Sequence, residues 1–370
     1  VGEYYYMVTT TMHLMPGAPI MRSKDFSNWE TIGYLFDRLT DSPKYDMEDG
    51  TVYGRGQWAT SLRYHKGTFY ALFAPNDNLG GNTYIMTAKD AAGPWKIHSR
   101  LRHFHDASLF FDDDDRVYVI YGTGEMCELT SDLQGVVPGS ECRIFQREAD
   151  ETGLLEGSRM IKHDGKYYLL MISHVWAPGR HRRQVCYRAD DIHGPYEKKV
   201  ILQSDFDKAG YVGQGTIVDG NDGKWYGVIL QDRGGVGRIL THMPCRWIDG
   251  WPILGDENGK VIGVEVLSYE LGEPDASGRR SPVAIKGSEH VVDCDAVIIA
   301  LGNGSNPLME KTTPGLEADE KGHIKVDENA ETSLPHVFAG GDIVLGAATV
   351  ILAMGEGRKA AKSINEYLAK

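Results

Sequence analysis

Asp106 and Glu156 are the residues of this sequence best placed for acid–base chemistry. They lie 50 positions apart in matching surroundings, "HFHDASLFFDDDDRVYVIYG" and "TGLLEGSRMIKHDGKYYLLMISH", each followed by small residues and then an apolar run. A carboxylate at a strand edge is ordinarily a turn or surface group, and Asp112, Asp113, Asp114 and Asp115, which crowd the turn after the first apolar run, are read that way. The shared register of Asp106 and Glu156 sets them apart, because it aims both at one cavity. Two carboxyl groups in one cavity can divide a proton-transfer task. Burial or a neighbouring negative charge raises one pKa and leaves that group protonated near neutral pH, while the other stays ionised.

A repeated unit must position them. A short polar turn leading into a Tyr-rich or Trp-rich apolar strand recurs at Gly2-Glu3-Tyr4-Tyr5-Tyr6, Lys66-Gly67-Thr68-Phe69-Tyr70, Asp115-Arg116-Val117-Tyr118, Asp164-Gly165-Lys166-Tyr167-Tyr168 and Asp222-Gly223-Lys224-Trp225-Tyr226. The steps from Gly2 through Gly67, Asp115, Gly165 and Gly223 are 65, 48, 50 and 58 residues, each suited to one four-stranded propeller blade. A second echo follows several turns: Ser23-Lys24-Asp25 ahead of Trp29, Ala88-Lys89-Asp90 ahead of Trp95, and Ala189-Asp190-Asp191 ahead of Tyr196. Asp-Gly and Gly-Glu turns supply the positive φ of tight hairpins. Residues 1–258 are therefore expected to form an all-β five-bladed β-propeller, its first blade lacking the opening strand, with blade-start loops gathered at one mouth of the channel.

Beyond a seam near Glu257-Asn258-Gly259-Lys260-Val261 no repeat continues. Residues 261–370 read as a separate, incomplete α/β Rossmann-like fragment. An apolar strand over 296–301 runs into "LGNGSNP", and "LPHVFAGGDIVLGAATVILAMGEGRKAAKSINEYL" reads as strand, Gly-Gly-Asp turn and long helix.

Composition narrows the partners. A chain of 370 residues with 41% apolar content is sized for two packed domains. With 39 basic and 52 acidic residues the formal charge is −13, and no run of Lys or Arg forms a phosphate-binding stripe, which argues against nucleic acid. Cys127, Cys142, Cys186, Cys245 and Cys294 are odd in number and widely spaced, so neither a disulfide framework nor a zinc site is expected. No apolar stretch of about 18 residues and no signal-peptide pattern occurs, so membrane insertion is not expected and a reducing, cytoplasmic location is; the start at Val1 is read as a cut end. Oligomeric state is not legible.

The stretches "YYYMVTTTMHLMPGAPIMRSKDFSNWE", "QWATSLRYHKGTFYALF", "HDASLFFDDD", "LLEGSRMIKHDGKYYLL" and "GQGTIVDGNDGKWYGVILQDRGGVGR" resemble glycoside hydrolase family 43, five-bladed propeller enzymes with β-xylosidase and α-L-arabinofuranosidase activities. The resemblance implies an inverting hydrolase of xylo- or arabino-oligosaccharides that needs no cofactor, with Glu156 as general acid and Asp106 tuning its pKa and orienting it. In that family the general base is an Asp in the first strand of blade one, whose counterpart would lie before Val1. The chain as written is therefore expected to turn over poorly. Inverting hydrolysis requires a carboxylic acid and a carboxylate about 6.5–9.5 Å apart, and loss of base assistance costs about 10²–10⁴-fold in rate.

Sugar recognition needs an aromatic platform and forked hydrogen bonders. Trp58 in "GQWATS" is the preferred platform, with His13 and Met15 of "HLMPG" beside it, although blade packing would explain Trp58 equally well. Trp29, Trp95 and Trp225 occupy repeat positions and are assigned to the core. By resemblance, Arg238 in "GGVGRI" reaches the sugar near the acid, where its fork can bind two hydroxyls. Gln214 in "VGQGT" stands where many relatives place a channel His, which leaves a calcium or channel-water ligand open.

Residues 261–370 resemble the carboxyl-terminal part of the glutamate synthase small subunit and its pyridine-nucleotide-disulfide oxidoreductase relatives. That likeness implies that Asp342 bonds the ribityl or phosphate region of FAD and that the helix start after Gly346 faces the flavin or its pyrophosphate. Without it, Gly340-Gly341-Asp342 reads as a turn and helix entry. Both copies of the three-glycine dinucleotide fingerprint are missing, and "LGNGSNP" follows the wrong strand, so FAD is not expected to bind. Three functions stand in order: the hydrolase, a catalytically inactive carbohydrate-binding propeller, and an FAD-dependent NAD(P)H oxidoreductase. The chain is read as a chimera.

Overall fold

The computed structural model describes residues 1–12, 15–52, 54–76, 82–177, 179–203, 211–232, 237–254, 263–274, 280–293, 309, 312–346 and 349–369. His13, the expected strand over 296–301 and the "LGNGSNP" turn lie outside the described residues. Two compact units partition the chain, Val1–Asn28 with Tyr34–Val297, and Trp29–Gly33 with Ile298–Lys370.

Residues 5–254 form five sheets, each ordered as the chain runs. The first has three strands, β1 (Tyr5–Val8), β2 (Gly17–Ser23) and β3 (Glu30–Phe36). The second has β4 (Gln57–His65), β5 (Thr68–Pro75), β6 (Thr83–Ala88) and β7 (Lys96–Leu101). The third has β8 (Ser108–Phe111), β9 (Val117–Tyr121), β10 (Glu125–Leu129) and β11 (Cys142–Arg143). The fourth has β12 (Leu155–His163), β13 (Lys166–Val175), β14 (His181–Ala189) and β15 (Glu197–Leu202). The fifth has β16 (Val212–Asp219), β17 (Trp225–Asp232), β18 (Arg238–Ile248) and β19 (Trp251–Leu254). The opening strands β4, β8, β12 and β16 pack successively on one another, as propeller inner strands do.

The repeated turns account for the sheets. Lys66 and Gly67 take φ of 45° and 77° between the paired residues His65 and Thr68, and Asp164 and Gly165 take 47° and 74° between His163 and Lys166. Both are the two-residue turns with positive φ that match strand twist. The apolar runs then alternate between two buried faces. Leu169, Met171 and Tyr187 join Tyr118 and Ile120 of the third sheet in one cluster, while Tyr168, Leu170 and Cys186 join Ile217, Ile229 and Leu254 of the fifth in another. A strand buried on both faces needs an unbroken apolar run, and "YYLLMI" provides it. Each fully buried Leu or Met contributes about 1.5–3 kcal/mol. Trp29, Trp95 and Trp225 are half-buried rather than enclosed.

Two two-stranded antiparallel sheets follow the fifth sheet: β20 (Gly263–Val266) pairs with β23 (His290–Asp293), and between them β21 (Tyr269–Pro274) pairs with β22 (Arg280–Ala284). The second unit includes two helices, α1 (Asp342–Leu345) and α2 (Val350–Leu368), the latter capped by the Thr349 hydroxyl accepting from the Leu352 amide. The expected long helix is present. The expected strand before Gly340 is reduced to a bridge between Glu331 and Phe338, and the other bridges join Ala318 to Ile324 and Val326 to Thr332, all antiparallel. A parallel strand requires neighbours and cover on both faces, and no parallel pair occurs among the described residues. Val350, Ile351, Leu352 and Met354 of α2 are exposed. No helix among the described residues is long and apolar enough to cross a membrane.

Candidate active site

Asp106 sits in the short loop between β7 and β8. Phe104, fully buried between the second and third sheets, pins that loop, its amide donating to the Thr83 hydroxyl at 2.8 Å. The His105 carbonyl accepts from the Gly122 amide at 2.9 Å. Anchored on both sides, Asp106 holds φ of 47°, a left-handed conformation that turns its carboxyl off the strand line.

Glu156 is turned inward by a bulge. The register of β12 against β13 shifts between Glu156 and Arg159, where Gly157 takes φ of 76°. Bulges re-aim side chains at the rims of sheets, and equivalent shifts occur at Gln57 to Thr60 in β4 and Val212 to Gly215 in β16. A Cβ on Gly157 would lie 2.6 Å from Cγ of Gln214.

Different side chains meet the two carboxyl groups, which also act on each other by charge. His105 Nε2 is 3.4 Å from Oε2 of Glu156, and His174 Nε2, from the end of β13, is 3.6 Å from Oε1. Gln214 of β16 donates Nε2 to Oδ1 of Asp106 at 3.0 Å. Below them two arginines cross reciprocally: Arg63 of β4 donates Nη2 to the Met160 carbonyl at 2.8 Å, and Arg159 of β12 donates Nη2 to the Thr60 carbonyl at 3.1 Å. Burial, with repulsion from Arg159, brings the Arg63 guanidinium down to about 10.

Electrostatics divide the pair in an order opposite to the expected one. Burial, joined by the negative charge of Glu156, raises the Asp106 carboxyl against the lowering pull of Arg159, Gln214 and His105. The hydrogen bond from His105 holds Glu156 below its ordinary value despite burial, helped by the charges of His174, His105 and Arg238. A raised Glu156 is the requirement the resemblance carries. The imidazoles and guanidinium reverse it.

The other expected residues divide. Arg238 acts on Glu156 by charge, and its Nε lies 3.3 Å from Oδ1 of Asp232, whose Oδ2 is bound by Arg182 Nη1. Gln214 is committed to Asp106. Trp58 donates its indole N–H to the Gly54 carbonyl at 3.1 Å, and Met15 Sδ accepts from the Leu39 amide at 3.3 Å, so neither polar contact reaches the carboxyl pair. Asp342 opens α1 in the second unit.

Sequence reading missed His105, His174, Asp232 and Gln57. Gln57, 3% exposed, accepts the Thr11 amide on Oε1 at 2.8 Å and donates Nε2 to Thr60 Oγ1 at 2.7 Å, knitting the segment after β1 to the second sheet. His174 carried a readable signal: with Ser173 it ends the apolar run of β13 on polar residues. No group of three or more His, Cys, Asp or Glu side chains suited to a metal ion occurs among the described residues.

The profile of the family described as "Glycosyl hydrolases family 43" matches residues 1–252, and that of "Pyridine nucleotide-disulphide oxidoreductase" matches residues 263–357. A Beta-xylosidase of Formosa agariphila is 30% identical over 306 residues, covering 73% of this chain and 50% of that protein. The Glutamate synthase [NADPH] small chain of Escherichia coli is 45% identical over 115 residues, covering 30% of this chain and 24% of that protein. A solved structure titled "Bifunctional GH43-CE Bacteroides eggerthii" superposes with a TM-score of 0.64 at 41% identity, covering 70% of this chain and 33% of that one. The chain thus spans about half the length of the curated xylosidase it matches.

Proposed function

The chain belongs to glycosyl hydrolases family 43 through residues 1–252, and from that premise we propose that it hydrolyses xylo- or arabino-oligosaccharides with inversion at the anomeric carbon. The observation that supports this most is that Asp106 and Glu156, from different sheets, act on one imidazole: the hydrogen bond to Glu156 raises His105 against burial, and the charges of both carboxylates add to it. Glu156 delivers a proton to the departing glycosidic oxygen, and Asp106 opposes loss of that proton through its negative field. Arg238 supplies a fork toward the sugar hydroxyls, with Trp58 and Met15 as the flanking platform. The chemistry uses water and carboxyl groups and calls for no cofactor. The base that activates water is assigned to neither Asp106 nor Glu156.

The lowered Glu156 carboxyl favours a second reading, a propeller that binds the sugar without cleaving it. Proton NMR of the first anomer released from an aryl β-xyloside and an aryl α-L-arabinofuranoside separates the two. Release of the inverted anomer, slowed in Glu156→Gln less than the hydrolysis of unactivated disaccharides is, is the expected outcome. Calorimetric binding of xylobiose without release supports the second reading, and release of the retained anomer overturns the inverting one. No activity is proposed for residues 263–357.

A further inference from the structure

We propose that His105 is the proton-supply and positioning residue of Glu156, loading its carboxyl from solvent, with His174 holding the opposite oxygen. The proposal rests on the hydrolase reading. Its basis is a two-sided clamp. His105 Nε2 faces Oε2 at 3.4 Å from the loop before β8, and His174 Nε2 faces Oε1 at 3.6 Å from the end of β13. The two imidazoles differ in access: the His105 side chain is 48% exposed, Glu156 24% and His174 16%. A proton therefore has a path from water to His105 Nε2 and on to Glu156 Oε2, whereas His174 closes the inner side.

The charged groups around the clamp assign the two histidines different states. His105 faces Asp106 on its own loop and Glu156 on β12, and its ring lies 6.3 Å from that of His103. The carboxylates favour its cation. Burial first, then the charges of Arg182 of β14 and Arg238 of β18, lower His174 against the carboxylates of Glu156 and Asp232 and favour its neutral form. A neutral imidazole 3.6 Å from Oε1 walls off that side of the carboxyl without competing for the catalytic proton. In the step itself the N–H bond at His105 Nε2 breaks, the O–H bond at Glu156 Oε2 forms, the positive charge on the imidazole and the negative charge on the carboxylate cancel, and water later reprotonates the imidazole. Two groups coupled this closely titrate as a pair, so the alkaline limb of turnover belongs to the pair rather than to a carboxyl alone.

Two measurements on the intact chain test this. The first is the NMR titration of the His105 ring, compared in the parent and in Glu156→Gln. A midpoint above the ordinary 6.5 that falls in the variant is expected; an unchanged midpoint overturns the coupling. The second is the pH profile of kcat/KM on an unactivated disaccharide for the parent, His105→Asn and His174→Asn. His105→Asn is expected to move the alkaline limb down by about one pH unit or more and to lower kcat about 10-fold or more, the scale of a lost proton-transfer partner, with KM little changed. His174→Asn is expected to lower kcat and keep the limb. A limb unmoved in His105→Asn overturns the proton-supply role alone, while a parent chain with no turnover and intact coupling overturns the hydrolase reading.

Discussion

Gln214 reaches from the opening strand of the fifth sheet to Asp106 ahead of the third, donating Nε2 to Oδ1 at 3.0 Å across 108 residues of chain. The carboxyl it meets is one that burial pushes up and that this hydrogen bond pulls down.

Gln214→Leu removes that pull. A hydrogen bond to a charged group is worth about 1.5–3 kcal/mol, so a loss of that order is expected in urea unfolding at neutral pH, together with a higher Asp106 midpoint. The sign follows from the raised folded-state value: the stability Asp106 contributes is fully present below its unfolded pKa and is lost as pH rises through the folded one. The penalty of Gln214→Leu should therefore shrink as pH falls through the Asp106 titration. A penalty constant with pH would show that Gln214 acts by packing alone.

Gly157 tests the bulge. It takes φ of 76°, and an added Cβ would meet Gln214 Cγ at 2.6 Å, whereas Gly165, at φ of 74°, has open space around its Cβ. Gly165→Ala should cost only backbone strain, about 1 kcal/mol. Gly157→Ala should cost at least about 1 kcal/mol more, the low end for overpacking, and should cut turnover by displacing Glu156 and Gln214 together. Thermal unfolding of the two variants side by side decides it; equal costs would mean that the bulge absorbs the methyl.

How much of this was legible follows from where the information resides. The hairpin turns were readable because Lys66-Gly67 and Asp164-Gly165 advertise positive φ locally, and the inner strands because two-sided burial writes apolar runs such as "YYLLMI". Asp106 and Glu156 were found by register, which the repeat transmits. Their electrostatics were not legible: the His105 and His174 contacts with Glu156 depend on side chains brought together across 51 and 18 positions of sequence. Arg182 and Arg238 likewise converge on Asp232 only through the pairing of β17 with β18 and the packing of β14 against the fifth sheet. In the second unit the helix pattern of α2 is local and held, while the strand before Gly340 depends on neighbouring strands that its own sequence does not contain.

Glu156→Gln carries a pH signature as well as a catalytic one. Turnover on unactivated disaccharides should fall about 10²–10⁴-fold, with a smaller loss on aryl glycosides whose leaving groups need little protonation. In stability, Glu156 has a lowered value and His105 a raised one. The former contributes stability that is lost as pH falls through the folded Glu156 value. The latter contributes stability that is lost as pH rises through the folded His105 value. The Tm gap between parent and variant should thus peak between those two titrations and close on either side. A gap that grows steadily with pH contradicts the pairing.

Lys198 is the last test, of the framework behind β12. Its Nζ, on a side chain only 6% exposed, lies 2.8 Å from Glu148, 2.9 Å from Asp150 and 3.5 Å from the wholly buried Glu151 carboxyl, which also accepts from Tyr187 Oη at 2.6 Å. Arg147 ties the same segment down by donating Nη2 to the Glu151 and Gly153 carbonyls, three residues before Glu156. Replacing Lys198 by Met keeps the aliphatic stem and strands a buried carboxylate, a change that costs about 3–5 kcal/mol. Adding Glu151→Gln should recover part of that loss, because the uncompensated charge is then gone. Urea unfolding of the single and double variants measures both; a double variant no more stable than Lys198→Met would place the cost in the lost packing of the stem rather than in the buried charge.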